Sequence, residues 1–361
     1  MNFFILIMLI LCLIGLIDKI LNNKLGLVAA FDKGMDSMGA IAMSMIGFYC
    51  IAITLIQNNV DVITKISADS SLDPSIVIGS ILAPDMGGFS IVSGLGNSTF
   101  LIFSGVILTA TLGQTISFQL PIFLASLKKE DLNPFISGLV YGILSLPIIL
   151  VAVAWYLQIP NLLINLLPII ILCVILVIAL YVSYDKTIFV LTLFGYLIRI
   201  ISILLFGMVV LQLFFDTLPF TTTALISDAM VIVLRMCIVV CGSMILSDLI
   251  IKRFSRMIFM IGQKLGVTSA SVMGLLLSLG TSMAIVPVVS QMDRKGKMRK
   301  SAFSVSGGYV LGGQLGFISS VVDGNGVIIY MISKIIAGLL AIVFVLIFYR
   351  EEKVSVDAME K

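Results

Sequence analysis

One carboxylate stands where an apolar chain has little reason to keep one. The stretch Ala83-Pro84-Asp85-Met86-Gly87-Gly88-Phe89 sets Asp85 beside a proline and two consecutive glycines. Proline removes a backbone donor and the glycines allow a sharp turn, so a helix must break here with a charge at the break. At membrane depth an acid costs about 2.5–3.5 kcal/mol on insertion scales, so it is kept for a cation, a proton or a buried basic partner. Asp85 therefore has three readings: counter-ion to a ligand, cap of the following half-helix through its first amides, or half of an ion pair. Met86, Gly87 and Gly88 would line the same turn and let a ligand approach the main chain.

Other polar residues fall at matching depth. Gly280-Thr281-Ser282 carries two hydroxyls, able either to bind a small polar ligand or to satisfy freed backbone groups. Gln114 and Gln314 each follow a glycine inside an apolar run and should face the interior. They serve a ligand or hydrogen-bond between helices. Arg199, Arg235 and Lys334 also lie within apolar runs. Lys334 is expected to snorkel to a membrane surface, whereas Arg199 and Arg235 should point inward, toward Asp85, Asp228 or a substrate carboxylate. Gln291-Met292-Asp293-Arg294-Lys295-Gly296-Lys297 reads either as a cytoplasmic gating latch, in which Asp293, Arg294 and Gly296 matter, or as a plain basic loop turning at Gly296.

The elements that must hold these residues are membrane spans. Of 361 residues, 60% are hydrophobic and only 11% charged, and the mean hydropathy is +1.20. Soluble domains carry about 25% charged residues. Histidine is absent, which excludes Ser-His nucleophiles and histidine metal sites. The five cysteines are scattered in apolar runs and indicate neither a disulfide framework nor a metal site. No cofactor is expected, and an enzyme is not. The N-terminal run lacks a basic start and a cleavage site and reads as the first span.

Apolar segments fall at about 3–21, 36–56, 73–94, 100–125, 134–157, 162–182, 187–214, 225–250, 268–290, 301–321 and 327–349. Cytoplasmic loops should hold the Lys and Arg excess. The basic loops are Lys19–Lys33, Lys128-Lys129, Lys186, Lys252–Lys264, Arg294–Lys300 and the tail from Arg350. Eleven crossings cannot place all of these on one side. Making 73–94 and 268–290 re-entrant hairpins repairs the bias. The expectation is an all-α membrane protein of about nine spans and two broken-helix hairpins, N-terminus outside and C-terminus cytoplasmic.

The halves also resemble each other. Leu72-Asp73-Pro74-Ser75-Ile76-Val77-Ile78-Gly79 matches Val267-Thr268-Ser269-Ala270-Ser271-Val272-Met273-Gly274. Gly113-Gln114 matches Gly313-Gln314, and Ser137-Gly138-Leu139 matches Ala337-Gly338-Leu339. Together with the charge bias this predicts one transport domain, residues 1–350, with inverted repeats at 1–157 and 186–350. A linker span at 158–185 would join them, with a short cytoplasmic tail at 351–361. Inverted repeats with broken helices meeting near the midplane are a recurrent transporter plan.

These motifs resemble a known family, the bacterial ethanolamine-utilisation permeases. The matching pieces are Met38-Gly39-Ala40 with Met43 and Met45-Ile46-Gly47, then Asp85 to Phe89, then Gln291 to Lys297 running into Ala302-Phe303-Ser304-Val305-Ser306, and last Leu311-Gly312 with Leu315-Gly316-Phe317. The resemblance implies a permease of the cytoplasmic membrane that carries ethanolamine inward, with membrane lipid, a small-molecule substrate and further copies of the chain as partners, and no nucleic acid. The family pattern has Asn-Asn where this chain has Thr281-Ser282, Asp-His where it has Gly313-Gln314, and proline where it has Gln114. Those departures imply a rebuilt pocket, and keep open another small amine, alcohol or amide as substrate. A channel-like facilitator is the alternative to a carrier.

Overall fold

A computed structural model describes residues 3–59, 72–95, 98–120, 127–215, 217–253, 266–280 and 289–349, with residues 123, 260 and 264 as isolated positions. Among these residues every regular element is helical. The helices are α1 Phe3–Ile20, α2 Val28–Asn58, α3 Ser75–Ile81, α4 Gly88–Gly94, α5 Ser98–Gln119, α6 Lys129–Tyr156, α7 Leu162–Val182, α8 Tyr184–Phe214, α9 Thr223–Arg253, α10 Ser269–Gly280, α11 Arg294–Gly307, α12 Gly313–Val321 and α13 Gly324–Phe348. Six described helices are long and apolar enough to cross a bilayer: those within α2, α5, α6, α7, α9 and α13. At 1.5 Å per residue α3, α4, α10, α11 and α12, none longer than 14 residues, cannot span about 30 Å. Thr281, Ser282 and the tail 351–361 lie outside the described residues.

The hairpin expected at 73–94 takes the form of two seven-residue helices, α3 and α4, joined by a tight turn at Pro84–Met86. Gly87 has φ +87°, a left-handed conformation that a side chain would strain. Both helices pack on α5, the central helix of this half, 83% of whose most apolar stretch is buried. α5 is wound mostly in wide i to i+5 turns. Several of its hydroxyls bond back within the helix: Thr109 donates to Gly105 O at 2.6 Å, Thr115 to Thr111 O at 2.8 Å and Ser117 to Gly113 O at 2.8 Å, whereas the buried Ser104 Oγ has no partner among the described residues. A Cβ on Gly113 would stand 2.5 Å from Gly79 O, so the close approach of α3 to α5 requires glycine there.

The second half departs from expectation in two places. The basic segment Arg294–Lys300 is no loop but the first turns of α11. Lys297 pairs with Asp131 at 2.6 Å, and the fully buried Lys300 lies 4.3 Å from the Phe123 ring and 4.8 Å from the Phe135 ring. Its ammonium has no hydrogen-bond partner among the described residues and rests on the ring faces alone. The expected span 301–321 is also interrupted, because α11 ends at Gly307 and α12 begins at Gly313. Between them the chain turns against the end of α10, with Tyr309 left-handed at φ +61°: Tyr309 N donates to Ser278 O and Leu311 N to Leu279 O, both at 2.8 Å. These bonds satisfy terminal carbonyls that a helix end leaves open. The loop expected at Lys19–Lys33 is shorter as well, since α2 starts at Val28.

The chain's connections sort by charge. Lys252 Nζ at the end of α9 donates to Gly26 O at 3.0 Å. Lys297 of α11 meets Asp131 of α6, and Lys295 and Arg299 lie beside Tyr349 at the end of α13. Connections poor in positive charge meet one another in turn. Thr54 donates to Thr221 at 3.2 Å, Asp73 N to Asn165 Oδ1 at 2.8 Å, and Gln158 shares a crevice with Asn325. α7 and α8 show large apolar side chains to the outside, with Leu163 81% and Phe189 68% exposed. Lipid is the environment that suits such faces.

Candidate functional site

Two interrupted helical segments meet. The Pro84–Met86 turn packs against α12, and Phe89 of α4 meets Phe317 of α12 edge-on at 5.8 Å. Asp85 is partly buried on this turn. It does not cap α4: the cap residue is Gly87, and no side chain bonds the helix's first amides. That removes the reading of Asp85 as the cap of α4. Met86 turns the other way, into an apolar cluster with Phe48 and Ala83. Gly88 is buried against Ala83 O and the methyl of Thr109.

The cation nearest in role to Asp85 is one that sequence reading misplaced. Lys334 was expected to snorkel to a surface, yet it is fully buried on α13. Its ammonium donates to Gln314 Oε1 of α12 at 2.8 Å and to the carbonyl of Ala110 on α5. The Tyr330 ring lies 5.4 Å away, and Tyr330 Oη donates to Tyr309 O at 3.2 Å. Asp85 lies within Coulombic range of both Lys334 and Tyr330. Helices α5, α12 and α13 and the Asp85 turn thus converge on one polar centre. The signals available in sequence were the four-residue spacing of Tyr330 and Lys334, which puts both on one helix face, and the two Gly-Gly pairs at 307–308 and 312–313, which mark the second interruption.

Gln114 is buried as expected but does not join that centre. Its amide donates to Gln119 Oε1 at 2.7 Å, and Gln119 in turn donates to Ser304 Oγ of α11. Gln114 Oε1 has no partner among the described residues. The two glutamines therefore serve different clusters, one turn apart along α5 from Ala110 to Gln114. Gly280, just before Thr281, packs against Gly312 at the second interruption.

An open cavity of about 610 Å³ lies between α2, α4, α9 and α12, lined by none of Asp85, Gln314, Tyr330 and Lys334. Phe89, Ser90, Tyr49, Asp228 and Arg235 line it. Arg235 is thus on the cavity wall together with Asp228, seven residues away on the same helix. The side chain of Arg199 lies outside what is described.

Asp293, Arg294 and Gly296 lie at the start of α11. Asp293 caps α11 through Gly296 N at 3.1 Å. Its other oxygen accepts from Thr268 N at 2.9 Å, Thr268 Oγ1 at 3.1 Å and Ser271 Oγ at 2.6 Å. One carboxylate thereby holds the starts of α10 and α11 together, so the two ends of segment 268–293 lie side by side. Burial opposes the charge on Asp293, but the bonds from Ser271, Thr268 and Gly296 outweigh it and hold the carboxyl below its usual range. Arg294 is exposed. Among the described residues no cluster of three metal-ligating side chains occurs.

Membrane-capable helices surrounding a polar centre at two helix interruptions define an all-helical protein of polytopic type. The chain belongs to the family described as "Ethanolamine utilisation protein, EutH", whose model matches residues 1–348. It is similar to the "Probable ethanolamine permease EutH" of Listeria monocytogenes, 29% identical over 93% of this chain and 91% of that protein. The protein of the same description from Salmonella typhimurium is 28% identical over 86% and 83% of the two chains. The "Uncharacterized protein YxeR" of Bacillus subtilis is 26% identical over 85% and 84%. No solved structure matches the chain.

Proposed function

We propose that the chain is a permease of the cytoplasmic membrane that carries ethanolamine, or a similar small amino alcohol or amine, by alternating access. The observation that carries this reading is the carboxylate of Asp85 at a helix interruption, on a turn that packs against the second interrupted segment. A protonated amine crosses hydrocarbon poorly and needs a counter-charge and hydrogen-bond partners on the way. Asp85 serves as counter-ion to the ammonium. Gln314 receives the hydroxyl in this reading, with Gln114, Thr281 and Ser282 as the remaining polar candidates. Gly87 and Gly88 keep side chains out of the ligand's approach, and Met86 steadies the turn through Phe48. The relatives described as probable ethanolamine permeases support the substrate class.

The same reading takes residues 1–157 and 186–350 as inverted repeats that rock against each other. The positive-poor connections face outside and the basic ones the cytoplasm, in keeping with the positive-inside bias. Asp293, with Arg294 and Gly296 at its helix start, ties the cytoplasmic ends of α10 and α11 as a gate. Uptake of labelled ethanolamine into proteoliposomes is the test, run on the wild type and on Asp85→Asn. The wild type should show saturable uptake stimulated by ethanolamine on the far side, and the variant should lose most of it. Absence of wild-type uptake ends the substrate assignment. An unaltered variant ends the counter-ion role, and linear uptake without trans-stimulation points to a pore.

A further inference from the structure

The polar centre holds a cation of its own. Lys334 is fully buried, and both groups that accept from its ammonium, Gln314 Oε1 and Ala110 O, are uncharged. They solvate the ammonium without neutralising it. The carboxylate near it is Asp85, on the Pro84–Met86 turn, which packs against α5 and α12, the two helices that supply those acceptors. One acid and one amine share the centre, so their sum is zero however the proton between them is placed.

We propose that Lys334 is the standing counter-cation of Asp85 in the empty carrier, so that the unloaded centre reorients neutral and the loaded centre carries one positive charge. This rests on the permease reading above and adds what drives it. An unpaired buried carboxylate is costly to move through a water-poor centre. With Lys334 in place the empty protein never has to do so. A substrate ammonium then adds a single charge, which an inside-negative potential pulls inward. No second ion is needed, and no bond is made or broken. At equilibrium a transported unit charge gives about tenfold accumulation for each ~59 mV of potential. Removing the lysine inverts the arithmetic: the loaded centre becomes neutral and the empty centre carries the bare charge. Exchange, which cycles only the loaded form, should survive. Net uptake, which needs the empty form to return, should not.

The experiment uses the full chain in proteoliposomes, with labelled ethanolamine and a potassium diffusion potential set by valinomycin. Wild-type accumulation should rise with the imposed inside-negative potential in the absence of sodium or pH gradients. Lys334→Met should keep ethanolamine counterflow and lose net uptake, and Lys334→Arg should restore net uptake. Wild-type accumulation indifferent to the potential overturns the proposal, as does Lys334→Met with intact net uptake. Loss of counterflow in a variant that still melts cooperatively in detergent also overturns it, by making Lys334 a binding or structural residue. If Lys334→Met fails to fold, the potential dependence of the wild type decides. A wild type with no ethanolamine exchange at all sinks the permease reading and this proposal with it. Exchange without potential dependence sinks this proposal alone.

Discussion

Two buried lysines, similar in sequence, meet opposite fates in this fold. Lys334 has two oxygen acceptors and a carboxylate within range, and so belongs to the polar centre. Among the described residues Lys300 has only the faces of Phe123 and Phe135. A desolvated cation–π contact returns about 2 kcal/mol, whereas burying an ion costs several kcal/mol even after relaxation. Desolvation should win at Lys300. Replacing it by an apolar side chain of similar length is therefore expected to be stabilising. Lys300→Met should raise the denaturation midpoint in detergent by an amount on the order of 1–4 kcal/mol, and a clear loss of stability would show that the ammonium has a partner it needs. The same residue scale explains why Asp85 could be singled out in sequence while its neighbour could not. A carboxylate between proline and two glycines announces a break wherever the chain folds. A lysine near the end of an apolar run does not say whether it reaches out to the surface or in to the centre.

At the scale of elements, what holds the second broken segment is Asp293. It caps α11 and bonds the start of α10, so its loss frees two helix ends at once. Asp293→Ala should destabilise the protein by about 0.5–2 kcal/mol, the usual cost of a lost cap. The pH dependence has a definite sign. The folded carboxyl titrates below its ordinary value, so its contribution is complete above about pH 3.9 and is lost as pH falls through the lower folded value. Thermal melts in detergent should show a constant gap between wild type and Asp293→Ala at neutral and mildly acidic pH, closing only in strong acid. A gap that closes near neutrality would contradict this. Length, hydropathy and caps were local properties, so α6, α7, α9 and α13 lie within a few residues of the segments expected for them. The interruption at 308–312 was missed because the apolar count across 301–321 outweighed its glycines, and because the partners that make it tolerable are the last carbonyls of α10, remote in sequence.

For the whole molecule, charge and contact agree. Basic connections touch basic connections, and positive-poor ones touch each other. If the positive-poor end faces outside, a cysteine at Gln158 should react with a membrane-impermeant maleimide added to intact cells, and one at Lys24 only after permeabilisation. The native cysteines are all buried, so background labelling should be low. The reverse pattern would invert the orientation.

Sequence by itself determined that this chain is helical, that it suits a bilayer, that its helix breaks at Asp85 and that it resembles the ethanolamine-utilisation permeases. Each of these rests on composition, local turn chemistry or motif order, which need no knowledge of neighbours. Only the tertiary structure decided which groups share the centre. Gln314 and Lys334 come together with the Ala110 carbonyl, near Asp85, because α5, α12, α13 and one tight turn converge, while Gln114 is drawn off toward Gln119 and Ser304. A side chain's partner in a packed interior is fixed by where other helices lie, and no spacing along one helix records that.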